Sequence, residues 1–290
     1  MKTRLSAIEH NQQGFESLVS LHKQTKGCYI NDVEIDMGRT SWLDADMCAA
    51  LGALLYRLRH NLNEVNLINI PTTVKAILSK NGFLSHYGHE KVPDTYGTTI
   101  SYKRFDVEDE RYFSAYIEEE FIRRSEMPDM SPGLLKKFRE SIFEIFSNAV
   151  LHSRTELGIF SCGQFFPRRG TLDFTLVDLG VGIQENVRRY EELELEPEEA
   201  IDWATRAGNT TKRKKIPGGL GLKLLCEFVD LNRGSIQIVS DAGYWRRQSS
   251  NTAKAKLDHP FPGTAVCLEI NAADTQSYAL ESELTEGSIF

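Results

Sequence analysis

Val33-Glu-Ile-Asp-Met alternates apolar and polar side chains, the pattern of a half-buried strand. After Ser41-Trp-Leu-Asp-Ala-Asp the pattern changes to helical spacing across Met47-Cys-Ala-Ala-Leu-Gly-Ala-Leu-Leu-Tyr-Arg-Leu, with Asp44 placed to cap the helix. Glu64-Val-Asn-Leu-Ile-Asn-Ile predicts a second strand, stopped by Pro71. A helix from about Thr72 carries Val74, Ile77 and Leu78 on one face and ends at Asn81-Gly82, where a residue must take positive φ. Residues 89–99, with Pro93 and Gly97, have the composition of a linker.

Beyond the linker, Phe105–Arg124 reads as one amphipathic helix through Phe113, Tyr116, Ile117 and Phe121. Helical and alternating segments follow as far as Ala272, and the last 18 residues are polar and acidic, the composition of a frayed end. The expected organisation is therefore a small α/β domain over 1–96, a larger domain over 97–272 and a polar tail over 273–290. The expected class is α/β (α+β).

Composition narrows the partners. Over 290 residues, Lys plus Arg is 34 and Asp plus Glu is 41, a net charge of −7, which disfavours a general nucleic-acid coat. The basic run Lys212–Lys215 and the Tyr244-Trp-Arg-Arg cluster are the local exceptions. No apolar run approaches the ~20 residues that span a bilayer, and the N-terminus has no signal-peptide core. Five cysteines without a Cys-x-x-Cys pair point to reduced thiols and a cytoplasmic protein rather than to a zinc site.

The densest chemistry lies in Phe138-Arg-Glu-Ser-Ile-Phe-Glu-Ile-Phe-Ser-Asn-Ala-Val-Leu-His-Ser. Phe138, Ile142, Ile145 and Ala149 form an apolar stripe, while Glu140, Glu144, Asn148 and His152 recur every fourth residue along a polar one. An Asn oxygen can ligate Mg²⁺, and a Glu one turn earlier can accept a proton from water. Taken alone, the polar stripe equally suits a solvated face.

Leu172-Asp-Phe-Thr-Leu-Val alternates like a strand and runs into Asp178-Leu-Gly-Val-Gly-Ile. That placement puts a carboxylate at a strand end, where it can accept an exocyclic amine. Gly180 and Gly182 offer no Cβ to obstruct a flat ring, although a capped tight turn has the same signature. Glu185 stands where a dinucleotide fingerprint needs its third glycine, and no Walker loop is present. Asn209-Thr-Thr-Lys-Arg-Lys-Lys leads into Gly218, Gly219, Leu220 and Gly221 at a helix start, an arrangement that suits anions, with Lys212 in a basic lid. Pro262-Gly-Thr-Ala-Val-Cys-Leu-Glu-Ile predicts a last strand carrying Thr264.

In this order, the Glu-x-x-x-Asn-Ala helix, Asp-x-Gly-x-Gly, Gly-Gly-Leu-Gly-Leu and the late Gly-Thr strand resemble the GHKL (histidine-kinase-like) ATP-binding family across about 105–272. The resemblance implies a helical layer on a mixed, mainly antiparallel sheet, with ATP and Mg²⁺ as ligands. It makes Glu144 the general base and Asn148 the metal ligand. Asp178 would bind adenine beside Gly180 and Gly182, supported by Thr264. Gly218, Gly219, Leu220, Gly221 and Lys212 would hold the phosphates.

Residues 27–87 are similar to STAS domains, the fold of anti-sigma-factor antagonists. Those domains carry a phosphorylated serine just after the Asp, whereas Ala45 and Asp46 follow Asp44 here. Asp46 then acts as a fixed negative charge, or the domain serves only for docking. The two resemblances together imply an ATPase switch in bacterial regulation or defence, a protein partner for the STAS-like domain, and a homodimer as many GHKL members form. A serine/threonine kinase of the anti-sigma-factor type and a non-catalytic nucleotide-binding protein are the alternatives. A histidine kinase is disfavoured, because His89-Glu-Lys-Val-Pro lies in a loop.

Overall fold

A computed structural model describes residues 1–206 and 221–286. Lys212, Gly218, Gly219 and Leu220 therefore lie outside the described residues, as does the rest of the basic run. The chain is of the α/β class. Its first part runs β1 (Lys2–Arg4), α1 (Gln12–Thr25), β2 (Asp32–Asp36), α2 (Cys48–His60), β3 (Glu64–Ile68) and α3 (Thr72–Lys80). β1, β2 and β3 pair in parallel, in that order. Asn11 caps α1 by accepting the Gly14 N–H at 3.0 Å. Gly82, at φ 81°, turns the chain out of α3 as the Asn-Gly pair requires.

The second part continues through β4 (Thr99–Phe105), α4 (Glu110–Ile117), β5 (Asp129–Met130), α5 (Pro132–His152), β6 (Ile159–Phe166) and β7 (Thr171–Asp178). It closes with α6 (Ile183–Glu191), α7 (Pro197–Thr205), α8 (Gly221–Asn232), β8 (Ser235–Gln248), β9 (Asn251–Asn271), β10 (Ser277–Tyr278) and α9 (Glu281–Glu286). Five strands form one sheet in the order β4-β6-β7-β9-β8, antiparallel at every pairing rather than mixed.

Each face of this sheet is covered by different helices, and the alternation along β7 shows how. Leu172, Phe174 and Leu176 enter a core with α4, α5 and α8, where Phe121 stacks on Phe174 at 4.5 Å and Phe113 on Phe146 at 4.2 Å. Val177 faces the other way, into a core built with α1 and α2. That core holds Phe15, Leu18, Leu51 and Leu55 together with Phe160, Cys162, Phe261 and Cys267 of the sheet. The N-terminal α/β unit thus shares one continuous buried core with the five-stranded sheet.

Four local expectations give way. Phe105 ends β4, and the helix expected over 105–124 starts at Glu110 and loosens into a π turn, Glu118–Ile122, that still buries Phe121 and Ile122. Asp44 caps no helix: its carboxylate accepts the His10 N–H and the Trp42 indole N–H, each at 2.9 Å, and a 3-10 turn follows it. The polar tail is held rather than frayed as far as residue 286. Glu283 Oε1 accepts the Gly133 N–H at 3.0 Å, and Ser131 N–H donates to the Tyr278 carbonyl at 2.8 Å, so the tail covers the start of α5. The Tyr244-Trp-Arg-Arg cluster is no free basic patch: Trp245 is buried, and Arg247 pairs with Asp230 at 2.7 Å.

Candidate functional site

α5 begins with Ser131 as its cap, Pro132 in its first turn, and Leu134 N–H donating to the Ser131 hydroxyl at 3.2 Å. Its apolar side carries Phe138, Ile142 and Phe146 into the core. The helical period then turns Glu144, Ile145, Asn148 and Ala149 toward an open cleft of about 900 Å³. Leu176 and Asp178 of β7 with Thr264 and Val266 of β9 form one wall, α6 and α7 another, and Leu222 of α8 closes the end. Of the polar stripe expected on α5, Glu140 points elsewhere, in an exposed pair with Lys137 at 3.2 Å.

Asp178 and Thr264 are direct cross-strand partners, which is why two residues so distant in sequence share this wall. Asp178 is 5 % exposed, and its Oδ1 accepts the Gly180 N–H at 2.9 Å. Burial pushes its carboxyl up to about 7, against the hydrogen bonds from Gly180, Ser153 and Thr264 that hold it down. A carboxylate so poised is a strong acceptor for a donor entering the cleft.

The two glycines after Asp178 owe their identity to the protein itself rather than to open space for a ring. A Cβ on Gly180 would sit 1.9 Å from the Ser153 carbonyl oxygen, and one on Gly182 would sit 2.0 Å from Asp241 Oδ2. The close approach of the chain after β7 to the end of α5 aims the intervening Val181 into the cleft.

Glu144 reaches α8. Its Oε2 accepts the Gly221 N–H at 2.8 Å, at the positive end of the helix. A Cβ on Gly221 would lie 2.6 Å from that oxygen, so the contact needs the glycine.

The cleft therefore unites Glu144, Asn148, Asp178 and Thr264, with Gly221 bonded to Glu144 and Gly180 and Gly182 set just behind the wall. Motif reasoning missed Ser240, which ties the wall together. Its hydroxyl and that of Thr264 are 2.9 Å apart, and it also accepts the Ile183 N–H at 2.8 Å, fixing the start of α6. Asn186 and Trp203, which also line the cleft, sit in helices with no glycine or catalytic pattern to mark them. The alternation of β8 alone could have pointed to Ser240.

A second polar group lies between the N-terminal unit and the other sheet face. His10 Nδ1 is 2.7 Å from Asp46 Oδ2 and 3.9 Å from Asp173 Oδ2, and Thr175 donates its hydroxyl to Asp46 at 2.7 Å. Arg169 bridges Asp44 at 3.2 Å and Asp173 at 3.1 Å. Burial would lower the His10 imidazole, but the Asp46 carboxylate outweighs it and lifts His10 to about 9. Burial pushes Asp173 up to about 8 against His10 and Arg169, while His10 and the Thr175 hydroxyl hold Asp46 low despite its burial. One imidazole and two carboxylates within 4.8 Å are a donor set for a divalent cation. Here His10 and Arg169 supply the positive charge from within, which makes the group an ion-pair network.

No family model matches the chain, and no curated protein matches it. Among the described residues, no helix is long and apolar enough to cross a membrane.

Proposed function

We propose that the cleft binds ATP with magnesium and hydrolyses it, the chain acting as a nucleotide-dependent switch of the GHKL kind with an N-terminal unit like a STAS domain. What carries this reading is the meeting of Glu144, Asn148, Asp178 and Thr264, drawn from three separate elements, around one apolar cleft with a buried acceptor in its wall. Leu176, Val181, Ile183, Val187 and Val266 offer a water-excluding slot for a flat ring. Asp178 accepts the exocyclic amine of that ring, and Thr264, held by Ser240, keeps the acceptor in place.

The donor set fits magnesium in kind: Asn148 contributes a neutral amide oxygen, and Glu144 lines the same cleft one turn away. The metal would be held by Asn148 and by phosphate oxygens, and its chemistry would be neutralisation of phosphate charge. Glu144 takes the proton of the attacking water, with the Gly221 N–H orienting its carboxylate. The same reading places the chain in the cytoplasm, where its five cysteines, all buried and free, stay reduced. It also gives the face of the N-terminal unit turned away from the sheet to a protein partner, and it allows a homodimer.

The test is calorimetric titration of ATP with and without Mg²⁺, followed by phosphate release. Glu144→Ala should keep ATP affinity and lose phosphate release. Absence of ATP binding under both conditions would overturn the reading, and unchanged turnover in Glu144→Ala would remove Glu144 as the base.

A further inference from the structure

A second concavity, sharing no residue with the cleft, lies where the C-terminal turn of α2 meets β4 and the 3-10 turn Phe83–Tyr87. It is an open hollow of about 680 Å³, solvent included, lined by Tyr56, Arg59, His60, His86, Tyr87 and Tyr102. One guanidinium, two imidazoles and three phenols are a lining of hydrogen-bond donors, and no carboxylate is among them. We propose that this pocket binds a small phosphate-type anion, such as a phosphomonoester.

Three observations beyond the lining carry the proposal. The floor is built for its phenol: Gly52, inside α2, leaves room for Tyr102, whose hydroxyl would stand 2.3 Å from a Cβ at that position. Phe83 and His86 meet the Tyr102 ring edge-on at 5.1 and 5.2 Å, so its orientation is fixed. Among the described residues, none forms a hydrogen bond with the hydroxyls of Tyr56, Tyr87 or Tyr102, which leaves these donors to whatever occupies the pocket.

The surroundings are cationic as well. His86 is held below its ordinary value by burial and by the charges of Arg59 and Lys103. An anion seated there relieves that repulsion and favours the protonated imidazole. A tetrahedral dianion can accept from the guanidinium, the imidazoles and the phenols at once, whereas a carboxylate has fewer oxygens to share. The tyrosine rings leave an apolar flank for the organic part of an ester.

The probe is inorganic phosphate, titrated into the full chain and followed by the imidazole NMR signals of His60 and His86, with acetate as the competing anion. Saturable shifts of both signals are expected, with tighter binding to phosphate than to acetate. Arg59→Ala should weaken phosphate by about 10- to 150-fold, the loss of a charge-assisted contact. Tyr102→Phe, which keeps the ring over Gly52 and removes only the hydroxyl, should weaken it less. Asp178→Ala should leave it unchanged, which separates this pocket from the ATP cleft. A response that does not saturate, equal binding of acetate, or full affinity in a folded Arg59→Ala would each overturn the proposal.

Discussion

Taking the chain from pH 7 to pH 9 removes the protons that His10 and Asp173 hold in the folded state. His10 is raised from 6.5 to about 9, so its contribution is complete below 6.5 and is lost as the pH climbs through 9. Asp173 is raised from 3.8 to about 8, so the fold keeps a proton there that the unfolded chain gives up, and the resulting penalty grows until pH 8. Both groups make the folded state the better proton binder between pH 7 and 8. Each such proton changes stability by about 1.4 kcal/mol per pH unit. With one to two protons in excess, the loss between pH 7 and 8 is about 1–3 kcal/mol. Both groups are buried, so solvent screening does not reduce the effect.

Urea unfolding at half-unit pH steps measures this slope. The thiols of Cys162, Cys226 and Cys267 are pushed up by burial and add their own alkaline slope, so the informative quantity is the difference from a variant. His10→Gln combined with Asp46→Asn removes the His10 proton together with the carboxylate that His10 keeps ionised, and should flatten the curve by about 1 kcal/mol per pH unit while the cysteine contribution cancels. Equal slopes in the two proteins would refute the reasoning. So would a stability of the parent chain that does not change from pH 7 to 8.

Three other outcomes can be measured directly. Asp178→Ala should leave an amine unpaired in the cleft and weaken ATP by about 1–3 kcal/mol, or about 5- to 150-fold, by calorimetry. In the parent chain ATP affinity should fall as the pH drops below about 7, where Asp178 takes up its proton, and this dependence should vanish in the variant. Gly180→Ala drives a Cβ to 1.9 Å from the Ser153 carbonyl and should cost more than the ~1–3 kcal/mol of ordinary overpacking, read from unfolding midpoints. Glu283→Ala should speed amide exchange of Gly133 at the start of α5 while leaving Gly180 protected, because only the former donates to that side chain.

Much of the cleft was legible because it depends on short-range geometry. The four-residue spacing of Glu144 and Asn148 puts both on one side of α5, and the alternation ending at Asp178 puts a carboxylate at a strand end. What periodicity could not supply was context. Asp173 and Thr175 give β7 the alternation of a strand with one wet face, yet both are fully buried beneath the N-terminal unit. A polar position covered by an ion-pair network looks the same in sequence as one covered by water. For the same reason Asp44 read as a helix cap when its partners were His10, Trp42 and Arg169. Gly180 read as room for a ligand when Ser153 fills that room.

The placement of these groups on β7 ties the two halves together mechanically. Thr175 and Asp173 bind Asp46 and Arg169 on one face, and Asp178, at the end of the same strand, lines the cleft on the other. Its neighbours Val177 and Leu179 are buried in the N-terminal core. A ligand that pulls on Asp178 therefore pulls on a strand pinned from behind. The strand cannot slide without breaking the Thr175–Asp46 hydrogen bond or opening a close-packed core. β8 repeats the arrangement. Ser240 holds the cleft wall, while Gln237 donates to the His10 carbonyl at 2.9 Å and accepts the Tyr244 hydroxyl at 2.7 Å. Two neighbours of β9 are thus anchored to the N-terminal unit at His10 and Asp46, so that unit backs the strands that carry the cleft wall.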